Sequence, residues 1–266
     1  MSQGKVVLVT GGAKGIGRMI SEGFVVNGAK VYISSRDAKA CEAAAAELNA
    51  LGTEGSAIAL PADLSRYDDC QRVTDELKRR ETRLHVLVNN SGAAWGETYE
   101  AYPDSAWTKL LTLNLQRVFT LTQALTPLLE AAGAASASSS TGGVSADPGR
   151  VIHIGSIDAI RVPVVPSFAY SASKAGLHQL SRHLAAELGP RGITSNTLAC
   201  GPFPSKMMAA TLDTFGDTIR ATNPVGRIGL PADAAGACLF LASSAGAFVN
   251  GATVVLDGGL SLMSKI

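Results

Sequence analysis

Tyr170 and Lys174 form the first arrangement in the sequence that could transfer protons. They are spaced i and i+4 in the segment YSASK, which puts both side chains on one face of a helix. A tyrosine hydroxyl has a pKa near 10, too high for ready proton exchange at neutral pH. A lysine cation about 4 Å away contributes up to ~4 kcal/mol at an effective dielectric of about 20, which predicts a Tyr170 pKa lowered toward about 7. We therefore expect Tyr170 to act as a general acid.

Two further polar residues suit the same chemistry. Ser156 follows an apolar run that ends at Ile154, and its hydroxyl can hydrogen-bond a carbonyl oxygen and share its developing charge. Asn114 lies mid-helix, a costly position for asparagine unless it has a role, although the side chain could also face solvent. If its side chain faces the site, Asn114 can hold a water that relays protons through Lys174. The four residues predict a site that protonates a carbonyl oxygen as hydride adds to its carbon.

Short apolar runs that alternate with longer helical segments must position these residues. The apolar runs are Val6–Val9, Val31–Ile33, Ala57–Leu60, Val86–Val88, Val151–Ile154, Ile193–Leu198 and Val254–Leu256. The segments long enough to be crossover helices include Ala38–Leu51, Tyr67–Glu81, Trp107–Glu130 and Phe168–Leu188. This alternation predicts an α/β fold with a single domain over residues 1–266: a Rossmann-like, doubly wound parallel sheet of about seven strands with helices on both faces.

Two segments interrupt this pattern. Residues 131–149 are almost all alanine, serine and glycine, which favours a flexible low-complexity surface loop over a lid or a partner contact. Residues 202–223 follow the sixth apolar run, where such folds carry a mobile substrate lid. We therefore expect one loop insert at 131–149 and one lid at 202–223.

Composition excludes several classes of function. The 266 residues are 46% hydrophobic and 17% charged with a net charge of +1, which argues against disorder, nucleic-acid binding and attachment to an anionic membrane. The four cysteines are scattered, without CxxC pairs, which predicts free thiols in a reducing compartment and no metal site. The first apolar run begins at Val6 without a leader pattern. We expect a cytoplasmic protein.

A glycine-rich segment directly follows the first apolar run and opens a helix. Gly11, Gly15 and Gly17, with Lys14 and Ile16 between them, have the spacing GxxxGxG instead of the more familiar GxGxxG. Glycine lets the backbone turn tightly against a pyrophosphate, and the helix N-terminus offers it free N–H groups. Although such a turn can be merely structural, its place at the first strand–helix junction predicts a dinucleotide site.

The end of the second apolar run predicts which dinucleotide binds. An NAD site usually has an acidic residue there for the ribose hydroxyls, whereas this sequence has Ser35 followed by Arg36. An arginine fork suits a 2′-phosphate, and Lys14 can reach the same group. We predict NADP(H), the alternative being that both cations are ordinary surface residues. Asp37 is interpreted as the N-cap of the following helix.

Polar residues also follow the third and fourth apolar runs, at the edge where ligands bind in parallel sheets. Asp63, followed by Leu64, can accept a hydrogen bond from the adenine amino group or cap the next helix, and both alternatives stay open. The Asn89 side chain can tie adjacent loops together. Ser91 and Gly92 complete the segment, in which glycine lets the backbone lie against the cofactor.

Taken together, these motifs resemble the short-chain dehydrogenase/reductase family over essentially the whole chain. The segments that carry the resemblance are Thr10–Gly17, Asp63, Asn89–Gly92, Asn114, Ser156, Tyr170–Lys174, Asn196–Gly201 and Leu256–Gly259. The resemblance implies a catalytic tetrad of Asn114, Ser156, Tyr170 and Lys174, in which Lys174 also binds the nicotinamide ribose. It also implies a homo-oligomer, commonly a tetramer and otherwise a dimer.

The same resemblance bears on the cofactor loop and the substrate. The loop after the sixth run would contact the nicotinamide through Gly201, Phe203 and Ser205, although Cys200 replaces the proline that the family usually has there. Three short segments are similar to those of β-ketoacyl reductases, which implies a 3-ketoacyl-type or bulky ketone. We expect the pocket to be lined by Trp95, Ser156, Ile157, Asp158, Val164, Phe203 and Met207. Trp95 could equally fill the core or an interface.

The sequence therefore favours an NADPH-dependent ketone reductase that acts on a small molecule. A secondary alcohol dehydrogenase with the same tetrad, using NAD or NADP, is the alternative. A non-catalytic NADP(H) sensor is a third possibility from another class, and retention of all four polar residues argues against it. A row of leucines, Leu177, Leu180, Leu184 and Leu188, fits either an interface or core packing.

Overall fold

The computed structural model describes residues 2–138 and 146–263. In these ranges seven strands form one parallel sheet in the order β3-β2-β1-β4-β5-β6-β7. The strands are β1 (Val6–Thr10), β2 (Lys30–Ser34), β3 (Ser56–Ala59), β4 (Val86–Asn89), β5 (Gly149–Ile154), β6 (Ile193–Cys200) and β7 (Thr253–Leu256). The predicted doubly wound sheet is confirmed, because each apolar run became one strand.

Helices cover both faces of the sheet. They are α1 (Gly15–Val26), α2 (Ala38–Asn49), α3 (Tyr67–Arg80), α4 (Asp104–Leu111), α5 (Arg117–Ser138), α6 (Phe168–Leu188), α7 (Ala209–Thr222) and α8 (Pro231–Ala242). Alternate residues of β1 face opposite layers: Val7 and Val9 pack with α1, α2 and α8, whereas Val6 and Leu8 pack with α3, α5 and α6. None of the helices in the described ranges combines the length and apolarity needed to cross a bilayer.

The strand order reverses beside β1. Strand β2 lies on one side of β1 and strand β4 on the other. In open α/β sheets a crevice forms at this switch point, beyond the carboxyl ends of the strands. The residues after β1, β2, β4 and β5 therefore converge on one edge, although they are far apart in the sequence.

The expected surface loop at 131–149 is wrong for its first eight residues. Helix α5 continues to Ser138, since alanine is the best helix former and offsets the cost of Gly133. Gly133 also allows a close approach, because a Cβ there would lie 2.5 Å from the Gly192 carbonyl oxygen. Residues 139–145 lie outside the described residues, and β5 already begins at Gly149.

The helix expected over Trp107–Glu130 is divided in two. Helix α4 ends at Leu111, a π-helical turn spans Thr112–Gln116, and α5 follows. Such a turn widens the backbone spiral by one residue and is frequent at functional sites. Asn114 lies at its centre and is fully buried, so the alternative of a solvent-facing asparagine is wrong.

Candidate active site

The glycine-rich turn between β1 and α1 has space only for glycine. Gly11 and Gly15 have φ angles of +63° and +54°, in the region that disfavours other residues. A Cβ on Gly17 would lie 2.2 Å from the Gly11 carbonyl oxygen. Helix α1 therefore begins directly against the turn, and Lys14 and Ile16 lie between these glycines.

Asn90 ties this turn to the end of β4. Its Nδ2 donates to the carbonyl oxygens of Thr10, at 2.9 Å, and Gly11, at 3.2 Å. In return, the Thr10 hydroxyl accepts hydrogen bonds from the backbone N–H groups of Asn90 and Ser91, both at 2.9 Å. The sequence analysis missed Asn90, although its position one residue beyond a buried strand could have identified it.

The loop-tying role expected of Asn89 is therefore wrong. Asn89 is the last residue of β4, so its side chain points into the protein, where Nδ2 donates to Thr122 Oγ1 at 3.1 Å. Gly92, by contrast, lies beside two of the predicted catalytic residues. A Cβ on Gly92 would be 3.3 Å from Asn114 Oδ1 and 3.7 Å from Lys174 Nζ.

The end of β2 presents an unpaired cation at the surface. Arg36 is exposed and makes no ion pair with the described residues. Lys14 forms an exposed ion pair with Asp37 at 3.0 Å, and Ser35 is partly buried beside them. The predicted N-cap is confirmed, because Asp37 accepts the N–H of Ala40, and this hydrogen bond is the main reason the Asp37 pKa is lowered.

Asp63 caps its own turn instead of a helix. Its Oδ1 accepts from the Ser65 N–H at 3.1 Å and from the Ser65 hydroxyl at 2.7 Å. Helix α3 begins later, after Arg66, so the helix-cap alternative is wrong. Leu64 packs in the core among the residues of α3 and α5, so its side chain does not reach the crevice.

Helix α6 brings the tyrosine and the lysine to Ser156. Ser156 lies beside the partly buried Tyr170 side chain and lowers the pKa of its hydroxyl. Lys174 Nζ lies 5.8 Å from the centroid of the Tyr170 ring and donates to the Ile154 carbonyl oxygen at 2.7 Å. Three of the four predicted catalytic residues thus meet at the carboxyl end of β5.

The expected lowering of the tyrosine pKa is wrong. Burial raises the pKa of Tyr170 to about 12, against a smaller lowering by Ser156. Burial also lowers the pKa of Lys174 to about 8. The lysine ammonium faces a backbone carbonyl instead of the tyrosine hydroxyl, so its charge does not offset the desolvation of Tyr170.

Asn114 joins the site through the backbone of the neighbouring elements. Its side chain pairs with both backbone groups of Ala93, each at 2.9 Å. Its Nδ2 also donates to Ser173 Oγ at 3.0 Å, and the Ser173 hydroxyl in turn donates to the Tyr170 carbonyl oxygen at 2.7 Å. Ser173 is therefore a residue of the site that sequence reasoning missed, although it lies within the YSASK segment.

The loop after β6 crosses the glycine-rich turn. A Cβ on Gly201 would lie 2.7 Å from Asp257 Cβ, so glycine is needed there. Ser205 reaches Gly15, where an added Cβ would be 3.1 Å from Ser205 Cβ. Phe203 is 2% exposed and packs in the core, so the expectation that its side chain lines the substrate pocket is wrong.

A groove of about 930 Å³ borders helix α6, and Asp158 is the only predicted pocket residue that lines it in the described part of the chain. The groove lies between α4, α6 and the loop after β5, and its large aromatic residues are Tyr99, Tyr102, Trp107 and Phe168. Asp158 is linked to the site because its N–H donates to Ser156 Oγ at 3.1 Å. Burial raises the pKa of the Asp158 carboxyl, while Arg161 opposes that shift.

The other predicted pocket residues lie elsewhere. Ile157 is buried, and Val164 and Met207 are 75% and 49% exposed, outside the groove. Trp95 stacks under Lys109, whose Nζ lies 5.1 Å from the ring centroid. Loop side chains follow no periodic pattern, so their direction depends on tertiary contacts. The place of Trp95, Ile157, Val164 and Met207 in a substrate pocket stays a prediction.

The described residues contain no group of three or more histidine, cysteine or acidic side chains placed to hold a metal ion. All four cysteines lie in the described ranges and are free and buried. Burial raises the pKa of Cys200 to about 12, so this thiol stays protonated although it ends β6 beside the site.

The family model that matches this chain covers the residues of the candidate site. A family model described as enoyl-(acyl carrier protein) reductase matches residues 11–261, which include the glycine-rich turn and all four predicted catalytic residues. The chain therefore belongs to the short-chain dehydrogenase/reductase family of oxidoreductases, as its motifs predicted. A particular relative is the rhamnolipids biosynthesis 3-oxoacyl-[acyl-carrier-protein] reductase of Pseudomonas aeruginosa, 41% identical over 261 residues, or 97% of each chain.

Two further comparisons extend this result. The solved active-site complex of Pseudomonas aeruginosa RhlG with NADP superposes with a TM-score of 0.87 at 40% identity, covering 97% of both chains. The D-threitol dehydrogenase of Mycolicibacterium smegmatis is 33% identical, over 97% of this chain and 94% of its own. Relatives thus include both a reductase and a dehydrogenase.

The close contact at Gly17 predicts contrasting effects of two helical glycines. Gly17→Ala should lower the free energy of unfolding by about 1–3 kcal/mol, because its Cβ overlaps the Gly11 carbonyl. Gly236→Ala in α8, where a Cβ meets nothing within 4 Å, should raise it by up to ~1 kcal/mol. Urea denaturation measures both, and equal effects would contradict the steric argument.

Proposed function

We propose that this protein is an NADPH-dependent carbonyl reductase that converts a 3-ketoacyl-type or bulky ketone to a secondary alcohol. The observation that carries the proposal is the meeting of Tyr170, Ser156 and Lys174 at the same sheet edge as the glycine-rich turn. A proton donor, an oxygen-binding hydroxyl and a cation are the groups that hydride addition to a carbonyl requires.

The residues present fit a dinucleotide with a 2′-phosphate. The close approach of Gly17 to Gly11 leaves the start of α1 open to a pyrophosphate, and the N–H groups there favour an anion. Exposed Arg36 has no partner among the described residues that would compete for the phosphate, and Lys14 lies nearby in an exposed pair. NADPH, when bound, would supply the hydride.

Further cofactor contacts come from the neighbouring loops. Asp63 keeps one carboxylate oxygen without a hydrogen-bond partner among the described residues, which supports a contact with the adenine amino group. Ser91 and Gly92 would contact the cofactor through the backbone. Ser205, which lies against Gly15, and Gly201 would close over it from the loop after β6.

In the proposed mechanism Tyr170 supplies the proton that the carbonyl oxygen takes up. Its raised pKa keeps the hydroxyl protonated and ready to donate at neutral pH. The Ser156 hydroxyl, which lies beside Tyr170, would donate to the same substrate oxygen as charge develops. Rotation of Lys174 away from the Ile154 carbonyl would bring its charge toward Tyr170 and stabilise the tyrosinate left after transfer.

Asn114 would support the return of a proton to Lys174. A Cβ placed on Gly92 would lie within 4 Å of both Asn114 Oδ1 and Lys174 Nζ. Because glycine has no side chain, a polar space is left between these two groups. A water there would have an acceptor and a donor within reach, as an ordered water needs.

The substrate class rests on the groove and on the relatives. Its aromatic walls suit an apolar portion of a ketone, and Asp158, which lines the groove, donates its N–H to Ser156 Oγ. The name of the Pseudomonas relative, a 3-oxoacyl reductase, supports the same class. Residues 202–223 would act as a lid, because Gly216 is the only buried residue of α7, so this helix is held by few core contacts.

A secondary alcohol dehydrogenase that works mainly in oxidation is the alternative. The relationship to a D-threitol dehydrogenase favours it. The unpaired Arg36 argues for reduction, because selectivity for a 2′-phosphate links an enzyme to the reducing NADPH pool of the cell. The third reading, a non-catalytic sensor, predicts NADPH binding without turnover.

We also propose a homo-oligomer, a tetramer or a dimer, in the cytoplasm. The edge strand β7 leaves one row of backbone groups unpaired, and apolar Val255 of β7, Phe240 of α8 and Phe248 of the segment that joins them are exposed. A second copy of β7 would pair this edge symmetrically. The leucine row of α6 does not serve as an interface, because Leu177, Leu184 and Leu188 are buried in the core. Four free thiols support a reducing compartment.

Turnover should depend on the hydroxyl of Tyr170. With a short 3-ketoacyl ester, NADPH consumption at 340 nm should fall at least ~1000-fold in Tyr170→Phe, since proton transfer and oxygen binding are both lost, while NADPH binding persists. Tyr67→Phe, at an exposed tyrosine on α3, is the matched control and should leave turnover unchanged. Binding without turnover in the wild type, across a ketone and alcohol panel, would favour the sensor.

Cofactor choice should depend on Arg36. Arg36→Asp should lower the ratio of kcat/KM for NADPH to that for NADH at least ~100-fold, because a carboxylate repels the 2′-phosphate and accepts from a ribose hydroxyl. Lys39→Asp makes the same charge change three residues away and should alter the ratio by less than about threefold. An unchanged ratio in Arg36→Asp would show that another residue selects the cofactor.

Oligomer formation should depend on the apolar face beside β7. Phe248→Asp should shift the mass measured by light scattering to that of a smaller assembly, because a charge would be buried in the interface. Leu51→Asp, at an exposed leucine after α2, is the control and should leave the mass unchanged. A wild-type monomer would exclude the oligomer.

A further inference from the structure

Polar side chains dock helix α6 on the sheet where apolar ones are usual. Lys174, His178 and Ser181 are spaced i, i+4 and i+7, so they share one face, and all three are buried. This row, which we call the polar seam, faces β5 and β6. A seam of hydrogen-bonding groups allows fewer helix positions than an apolar one, because each group needs a partner at a defined distance.

A chain of hydrogen bonds runs from the seam across three strands. Ser181 Oγ lies 3.1 Å from Ser195 Oγ in β6, which lies 3.1 Å from Nε2 of His153 in β5. His153 Nδ1 lies 3.4 Å from Asn89 Nδ2 at the end of β4, and Asn89 continues the chain to Thr122 of α5. His153 is completely buried at the centre of this chain.

The partners define the protonation state of His153. Asn89 Nδ2 is a donor only, so His153 Nδ1 accepts, and Nε2 carries the hydrogen and donates to Ser195. Burial and, to a smaller extent, the charge of Lys174 lower the pKa of His153 to about 3, so the ring is neutral. A neutral imidazole with one acceptor and one donor matches both neighbours.

His178 holds the helix against the strand end that carries Ser156. A Cβ on Gly155 would lie 2.2 Å from His178 Nε2, so the imidazole rests directly on the glycine backbone. This Nε2 is buried and has no hydrogen-bond partner among the described residues. His178 therefore contacts the strand by packing, whereas His153 provides directional hydrogen bonds.

We propose that His153 is a positioning residue for Tyr170 and Ser156. Strand β5 carries His153 three residues before Ser156, and α6 carries Ser181 three turns after Tyr170. The chain through Ser195 thus fixes the rotation and height of the helix against the same strand that ends in Ser156. The catalytic consequence rests on the proposed function, whereas the docking of α6 does not.

The experiment replaces the imidazole with an apolar and with a polar side chain. His153→Leu keeps the bulk and removes both hydrogen bonds, whereas His153→Gln keeps a donor and an acceptor. Thr74→Val is the control, because it removes a buried hydroxyl from α3, far from the seam. Amide exchange of α6, followed by mass spectrometry, and kcat and KM for the ketone are measured in each variant.

We expect His153→Leu to speed exchange in residues 168–181 at least tenfold. It should lower kcat about 10- to 100-fold with KM for the ketone within about threefold, since displacement of the acid by ~1 Å costs that much. His153→Gln should return both the exchange rate and kcat most of the way to their wild-type values. Thr74→Val should leave kcat unchanged and should change amide exchange only uniformly across the protein. If His153→Leu does not fold, Ser181→Ala opens the same chain at the helix and should speed the same exchange.

The proposal would be overturned if amide exchange of α6 stayed unchanged in His153→Leu and Ser181→Ala. It would also be overturned if Thr74→Val lowered kcat by the same factor at equal stability. A wild-type protein that turns over no ketone or alcohol contradicts the proposed function instead. In that case the exchange data still decide whether the chain through His153 docks the helix.

Discussion

The docking of α6 across β5 and β6 is the constraint on which the site depends. An α-helix advances 1.5 Å and turns about 100° per residue, so a slip of one residue would remove Tyr170 from Ser156. Apolar packing alone tolerates small shifts, whereas polar contacts have one geometry. Lys174 bonded to the Ile154 carbonyl and Ser181 bonded to Ser195 select a single position, and burying them has a desolvation cost that apolar residues would avoid.

The second constraint is the close approach of backbone to backbone at the sheet edge. Gly17 brings α1 within contact of Gly11, and Asn90 then holds this turn to the end of β4. Both features leave the N-terminus of α1 open at the edge where Ser156, Tyr170 and Lys174 lie. The dinucleotide turn and the proton-handling residues are therefore adjacent because parallel strands end on the same side, at the point where their order reverses.

Periodic and backbone-determined features could be read from the sequence, whereas side-chain directions in loops could not. The seven strands and the bounds of α6 followed from apolar runs and helix periodicity, and Asp37 followed from capping chemistry. Asn89 and Asn90 differ by one position, and only strand alternation decided which of them points inward. Phe203 entered the core because Gly229 leaves space for its ring, a contact 26 residues away in the chain.

The sequence by itself determined the fold class, the glycine-rich turn and the set of candidate catalytic residues, because these depend on local periodicity and on residue types with few alternatives. Only the tertiary structure decided the electrostatic state of that set and the walls of the groove. Burial raises the pKa of Tyr170 while Lys174 faces a carbonyl, and four aromatic residues from two segments far apart in the sequence line the groove. Desolvation and packing depend on every neighbouring element at once, so no local pattern encodes them.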